Sequence, residues 1–375
     1  MTPPGGPLKK TIFSRVRHFR KPGRRVDGAF IRGPPDHTMR GVNELNPSSS
    51  SRFLGLNPTI AGTICCVISA LGYTASNICM RRLSTPEFDC DPAWIIFNKE
   101  LVTVVIVGPW LLARTVRRMP TWPSLRALAA LVLVGLCVQL VANLGVQWAL
   151  GIVGLAVTIP AIFGVMLTAS AVLGRILLGE RVSMRSAGAI ALLIVALVLL
   201  GLSANAAGRS IAASGQTAPG PLLVALALAA GCMAGAVYAV LTITIRRAVT
   251  GSAHFTAVVF VITGMGVLSL GPISAGRLGI DTLAATPPDH FAWMLAAGTF
   301  NLIAFVAITK GLQLTTVVHA NVLNASQVAM AAIAGLMIFD EPPNSWMILG
   351  VCLTVAGVML IDRPVDGNRG ADQHA

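Results

Sequence analysis

Residues 72–82 read GYTASNICMRR, and residues 237–247 read VYAVLTITIRR. Tyr73, Asn77, Arg81 and Arg82 of the first stretch are answered 165 positions later by Tyr238, Thr242, Arg246 and Arg247. Each stretch closes a long apolar segment, and in each the aromatic and the polar residue stand four apart, on one helical face. A second echo follows: Leu178-Gly179-Glu180-Arg181 is matched by Phe339-Asp340-Glu341-Pro342, with Glu341 lying 161 positions after Glu180. Two similar halves in an apolar chain point to a transporter built from repeats, with its site between them.

Composition makes the chain a membrane protein. Only 11% of its 375 residues are charged and 54% are hydrophobic, against roughly 25% charged in soluble domains. Bilayer hydrocarbon offers no partner to an exposed backbone group, so each crossing needs about 20 mainly apolar residues in a helix. Ten such stretches are expected, near 58–80, 93–113, 125–148, 152–174, 186–203, 220–245, 255–275, 290–309, 315–338 and 345–361. The gaps at 81–92, 114–124, 204–219 and 276–289 carry Pro, charge or small polar residues, as loops do. The breaks at 149–151 and 310–314 are short enough to make their flanking helices tight antiparallel hairpins. The fold class is thus an all-α integral membrane protein of about ten transmembrane helices in two inverted five-helix repeats.

The net charge of +13 is unevenly placed. Residues 1–52 hold eleven Lys or Arg against Asp27, Asp36 and Glu44, with much Pro, Gly and Ser and no apolar periodicity. Such a segment reads as a disordered basic cytoplasmic tail that touches anionic headgroups. A nucleic-acid-binding arm and an Arg-rich transit peptide fit it less well, and it has no apolar core for a secretory signal. The positive-inside rule then places both termini in the cytoplasm. On that reading the inner loops carry Arg114, Arg117, Arg118, Arg126, Arg175, Arg181, Arg185, Arg246 and Arg247, and the outer ones Arg81, Arg82, Arg209 and Arg277. The expected location is the cell membrane, the inner membrane in a bacterium. The seven cysteines show no metal-binding or disulfide spacing, and no cofactor is expected.

The doubled unit, the turn Leu178-Gly179-Glu180-Arg181 before the small-residue helix 186–203, and Gln147-Trp148-Ala149-Leu150 running into a helix with Pro160 resemble the drug/metabolite transporter superfamily. Within it they are most similar to the ten-helix EamA-type permeases, over roughly residues 57–362. The second copy departs from the pattern, since Phe339-Asp340-Glu341-Pro342 lacks the glycine and Asn321 stands where Pro160 would repeat. The second span has Phe97-Asn98-Lys99 where the family more often shows an arginine. The resemblance implies EamA-like repeats at 53–203 and 220–362, joined by a linker at 204–219 and followed by a cytoplasmic tail at 363–375. It also implies a central path lined by both halves, and it leaves the substrate open among amino acids, other metabolites, drugs and sugar phosphates.

Polar stripes mark where such a path would run. Ser69, Tyr73 and Asn77 recur every four residues, as do Gln139, Asn143 and Gln147, while Tyr238 and Thr242 repeat the spacing. At 100° per residue, positions four apart drift only about 40°, so each set faces one way. Amides and phenols facing lipid cost several kcal/mol, which turns these faces inward. Single polar residues of this kind also serve as interhelical hydrogen bonds, so lone examples decide less than stripes do. On the ninth span Thr316, His319, Ser326 and Gln327 share about a third of the circumference, with Asn324 beside them, and Asn301 on the eighth is expected to face the same cavity. The expected substrate contacts are Tyr73, Asn77, Gln139, Asn143, Gln147, Tyr238, Thr242, Asn301, His319, Asn324 and Gln327.

Lys99, Glu100 and His319 are the candidates for carrying a proton. Lys99 is expected to snorkel outward on its four-carbon stem. A buried Glu100 would be a protonatable carrier and a paired one would be structural. His319 reads equally well as a neutral interhelical donor. Glu180 and Glu341 sit in turns before helices, where a carboxylate favours a helix N-terminus. No zinc-ligand cluster, phosphate-cradling loop or nucleophile triad marks an enzyme. The reading is a secondary carrier, an exporter of a small polar metabolite or drug by alternating access, with proton coupling open. A sugar-phosphate or nucleotide-sugar antiporter and a non-transport membrane scaffold or signalling protein are the alternatives. Partners are a small-molecule substrate, the lipid bilayer and protons, with no nucleic acid, and a homodimer stays open.

Overall fold

The computed structural model describes residues 58–119, 121–178, 220–250, 253–341 and 343–360, with scattered positions between 184 and 202. All fall in the second of two units, which starts at Ser51. The tails, the linker 204–219, Glu180 and most of the fifth expected span (186–203) lie outside the described residues.

Every regular element among them is helical. They are α1 (Pro58–Leu83), α2 (Pro92–Val116), α3 (Leu125–Cys137), a π-helical turn (Val138–Asn143), α4 (Leu144–Val153), α5 (Leu155–Leu178) and α6 (Pro221–Thr250). There follow α7 (Phe255–Leu278), α8 (Ile280–Ala284), α9 (Pro288–Leu314), α10 (Val317–Asn324), α11 (Gln327–Ile338) and α12 (Ser345–Leu360). Eight stretches are long and apolar enough to cross a membrane, one running from α3 through α4 and one from α10 through α11. A shorter apolar helix, Ser345–Gly357, adds to these. The chain is an all-α, multi-pass membrane protein.

Local chemistry sets the helix ends. Asp91 Oδ1 accepts from the amides of Ala93 (2.9 Å) and Trp94 (3.2 Å), and Pro92 fills the first turn of α2, where its missing N–H costs nothing. Thr316 caps α10 through the amide of His319. The short breaks fall later than their composition suggests. α4 continues through 149–151 to Val153 and ends at Gly154, whose φ of 78° an L side chain resists. α9 runs through Leu314 and ends at the extended Thr315. The ninth expected span is two helices, interrupted at Ala325 and Ser326.

Helices from the two halves of the chain interleave. α1 lies along α9, α2 along α7, and α5 along α6. Small residues permit these approaches: a Cβ on Gly235 of α6 would overlap the carbonyl oxygen of Ile162 on α5. Gly235→Val should therefore force the pair apart at a cost of roughly 1–3 kcal/mol. It would appear as a lower unfolding temperature of the detergent-solubilised protein, and an unchanged temperature would mean that the two helices are not held at this distance.

The ends of the bundle differ in charge. At one end, Arg247 Nη2 donates to Leu177 O (2.7 Å), Arg246 donates to the carbonyls of Leu312 and Thr315, and His254 N donates to Thr121 O (3.1 Å). These bonds gather Arg114, Arg117, Arg118, Arg126, Arg175, Arg246, Arg247 and Lys310 on one side, without an acid among the described residues there. The opposite end holds Glu87, Asp89, Asp91, Asp281, Asp289, Asp340 and Glu341 with Arg81, Arg82 and Arg277. The Arg82–Glu87 (2.7 Å) and Arg277–Asp91 (3.3 Å) pairs lie there.

Candidate functional site

A cavity of about 130 Å³ lies inside the bundle. α1 contributes Tyr73, Ser76 and Asn77, the π turn Gln139 and Asn143, and α6 Tyr238 and Thr242. α9 contributes Asn301, α10 Asn321 and Asn324, and α11 Gln327, so the break between α10 and α11 is at the wall. Met80, Phe163, Met166 and Phe305 supply apolar surface. Nine of the eleven expected contacts line this one space, which the sequence alone scatters over 255 positions.

Gln139 and Asn143 of the π turn line the cavity, whereas Gln147, four residues further on in α4, does not. Gln147 is turned onto α1, where Nε2 donates to Met80 O (3.0 Å) and Ser84 Oγ (2.6 Å). His319 also stands outside the lining, its Nε2 3.3 Å from Thr63 Oγ1 of α1. Both residues are placed as links between helices.

A hydrogen-bonded chain runs along one wall. Tyr238 OH donates to Asn143 Oδ1 (2.6 Å), and Asn143 Nδ2 donates to Gln139 Oε1 (2.6 Å) and Glu100 Oε1 (3.3 Å). Gln139 Nε2 donates onward to the carbonyl of Ile262 on α7 (3.1 Å). Lys99 Nζ lies 3.2 Å from Glu100 Oε1. The expected snorkelling of Lys99 is thus corrected: its side chain is 5% exposed and lines the cavity, because the neighbouring carboxylate gives its charge a partner indoors. Glu100 Oε2 is sealed and takes no hydrogen bond among the described residues. Gly266 makes room for this cluster, since a Cβ there would overlap Glu100 and Gln139.

On the other wall, Asn77 Nδ2 donates to Gln327 Oε1 (3.5 Å) and Ser69 Oγ to Asn324 Oδ1 (3.2 Å). Asn321, which sequence reasoning noted only as the counterpart of Pro160, is fully buried and donates from Nδ2 to Ser170 Oγ (2.9 Å). Without a stripe of its own, it carried no periodic signal.

Glu341 lies away from the cavity lining and caps a helix other than its own. Its Oε1 accepts from the amide of Leu155 (2.8 Å) and its Oε2 from that of Ala156 (2.9 Å), both in the first turn of α5. Arg81 Nε closes the arrangement at 3.2 Å from Oε1. Gly154 and Gly335 flank the carboxylate where a Cβ would overlap it.

Residues 225–362 match the model of the EamA-like transporter family. No curated protein matches the chain. One solved crystal structure shares the fold at a TM-score of 0.53 and 15% identity, over 80% of this chain and 96% of its own. That likeness speaks for the fold alone.

Proposed function

We propose, from the match of residues 225–362 to the EamA-like transporter family, that the chain is a secondary carrier of the drug/metabolite transporter type, exporting a small polar metabolite by alternating access. The observation that carries this reading is the convergence of polar faces from α1, the π turn, α6, α9 and α10–α11 on one cavity. Isolated interhelical hydrogen bonds would need no such common space. Inverted repeats at 53–203 and 220–362 would let the two halves exchange roles around a fixed site. The basic end, which has no acid among the described residues there, would face the cytoplasm under the positive-inside rule.

The volume of about 130 Å³ is below the roughly 300–1,000 Å³ of drug-sized sites, which favours a compact cargo. Tyr73, Asn77, Gln139, Asn143, Tyr238, Thr242, Asn301, Asn324 and Gln327 would hold it through hydrogen bonds and ring contact. A phosphorylated cargo suits the site less well, because the lining cation Lys99 is already engaged by Glu100. Glu100 is both buried and paired with Lys99, so the pair would be the coupling element: cargo that disturbs the Asn143 contact to Glu100 Oε1 would loosen the carboxylate from Lys99 and let it take up a proton.

A thermal-shift screen of the purified protein against polar metabolites would supply a ligand, since a molecule bound only to the folded state raises the unfolding temperature. Flux of that ligand into liposomes, with and without a pH gradient, then tests the coupling in wild type and Glu100→Gln. The gradient should accelerate wild-type flux and leave the variant unmoved. Equal responses would remove Glu100 from coupling, and the absence of flux in wild type would remove the carrier reading.

A further inference from the structure

A strip of cations and rings lies at the basic end of the bundle, apart from the cavity. The Arg114 guanidinium sits 5.0 Å from the centroid of the Trp110 ring, which is itself 5.3 Å from the His254 ring. His254 lies 4.6 Å from Phe255, and Lys310 Nζ lies 5.5 Å from the Phe255 centroid. Three elements therefore bring three basic groups together: the end of α2, the turn between α6 and α7, and the end of α9. We propose that this strip is a binding site for the headgroup of an anionic phospholipid, with Arg114, His254 and Lys310 holding the phosphate.

Several observations support the assignment. Arg114 Nε is buried and takes no partner among the described residues. His254 Nδ1 accepts from the amide of Thr256 and lies 2.8 Å from its hydroxyl oxygen, which leaves Nε2 to carry the hydrogen and donate outward. The strip continues into the lipid-facing side of α2, where Trp110 is 44% and Leu112 65% exposed, so acyl chains can follow the headgroup along the helix. Trp and Arg at this level of a membrane helix suit the headgroup layer. Burial, together with the charges of Arg114 and Lys310, pushes the His254 imidazole below its ordinary value of 6.5. An anion among these groups would offset their mutual repulsion and favour protonated His254, whose Nδ1 would then donate to the Thr256 hydroxyl and give up the Thr256 amide. The lipid should then bind more tightly as pH falls, through the charge gained on the ring.

The test is thermal unfolding of the full chain in nanodiscs of phosphatidylcholine alone and of phosphatidylcholine with phosphatidylglycerol. Wild type should gain about 5 °C from the anionic lipid, and the gain should grow on acidification. Arg114→Gln should lose most of it. A variant that keeps the full gain, or a wild type that gains nothing, overturns the site. If inorganic phosphate added to phosphatidylcholine discs gives the same gain, the site takes a soluble anion and the lipid assignment fails. If Arg114→Gln does not fold, His254→Gln is read in its place with the same outcomes.

Discussion

Glu341→Ala is expected to cost roughly 3 kcal/mol of stability and to reduce transport with it. The Glu341 carboxylate is 12% exposed and serves three donors at once: the amides of Leu155 and Ala156 and the guanidinium of Arg81. A helix N-terminus presents amides without partners inside the helix, and in an apolar surrounding each must find one elsewhere. Removing the carboxylate would leave two amides and a charge without their acceptor. Glu341→Gln keeps a single acceptor oxygen and should recover part of the loss. Thermal unfolding of the three proteins in detergent would rank them wild type, Gln, Ala. An alanine variant as stable as wild type would mean that water satisfies this helix end equally well.

A second large effect should separate two residues that share one stripe in the sequence. Asn143→Ala removes the acceptor of Tyr238 OH and the donor to Gln139 and Glu100. Those groups border the cavity, where water can replace the lost partners, so the fold should persist. Transport should fall about 100-fold if two hydrogen bonds of roughly 1.5 kcal/mol each are lost to the bound cargo. Gln147→Ala should do the reverse. It removes the donor to the Met80 carbonyl and the Ser84 hydroxyl, which keep their own bond to each other (3.2 Å), and should lower stability by about 0.5–1.5 kcal/mol, with transport per folded molecule unchanged. Matching transport defects in the two variants would place both side chains at the cargo and undo the distinction.

That pair shows how far a sequence can be read here. Four-residue spacing finds the inward faces of α1 and α6, because Tyr73 and Asn77, like Tyr238 and Thr242, lie on uninterrupted α-helices. It also finds Gln139 and Asn143, then fails at Gln147, whose amide is taken up by the Met80 carbonyl and the Ser84 hydroxyl instead of the cavity. His319 fails differently, as α10 is a short separate helix whose histidine faces Thr63. For Lys99, the reach of the side chain was legible and its destination was not. That destination is set by Glu100, which shares its buried environment. Glu341 was legible as a helix-terminal acid, but the helix it serves is α5, 185 positions earlier. Contacts between halves of the chain leave no periodic trace.

The central claim is a wet cavity between two halves that opens alternately to either side of the membrane. A single cysteine at position 301, Asn301→Cys in a chain cleared of its seven native cysteines, tests it most directly. Asn301 is 6% exposed and borders the cavity on α9. A charged, membrane-impermeant thiol reagent should label this position from outside and, in separate inverted vesicles, from inside, and a bound cargo should protect it from both. Labelling from one side only, or from neither, would contradict alternating access.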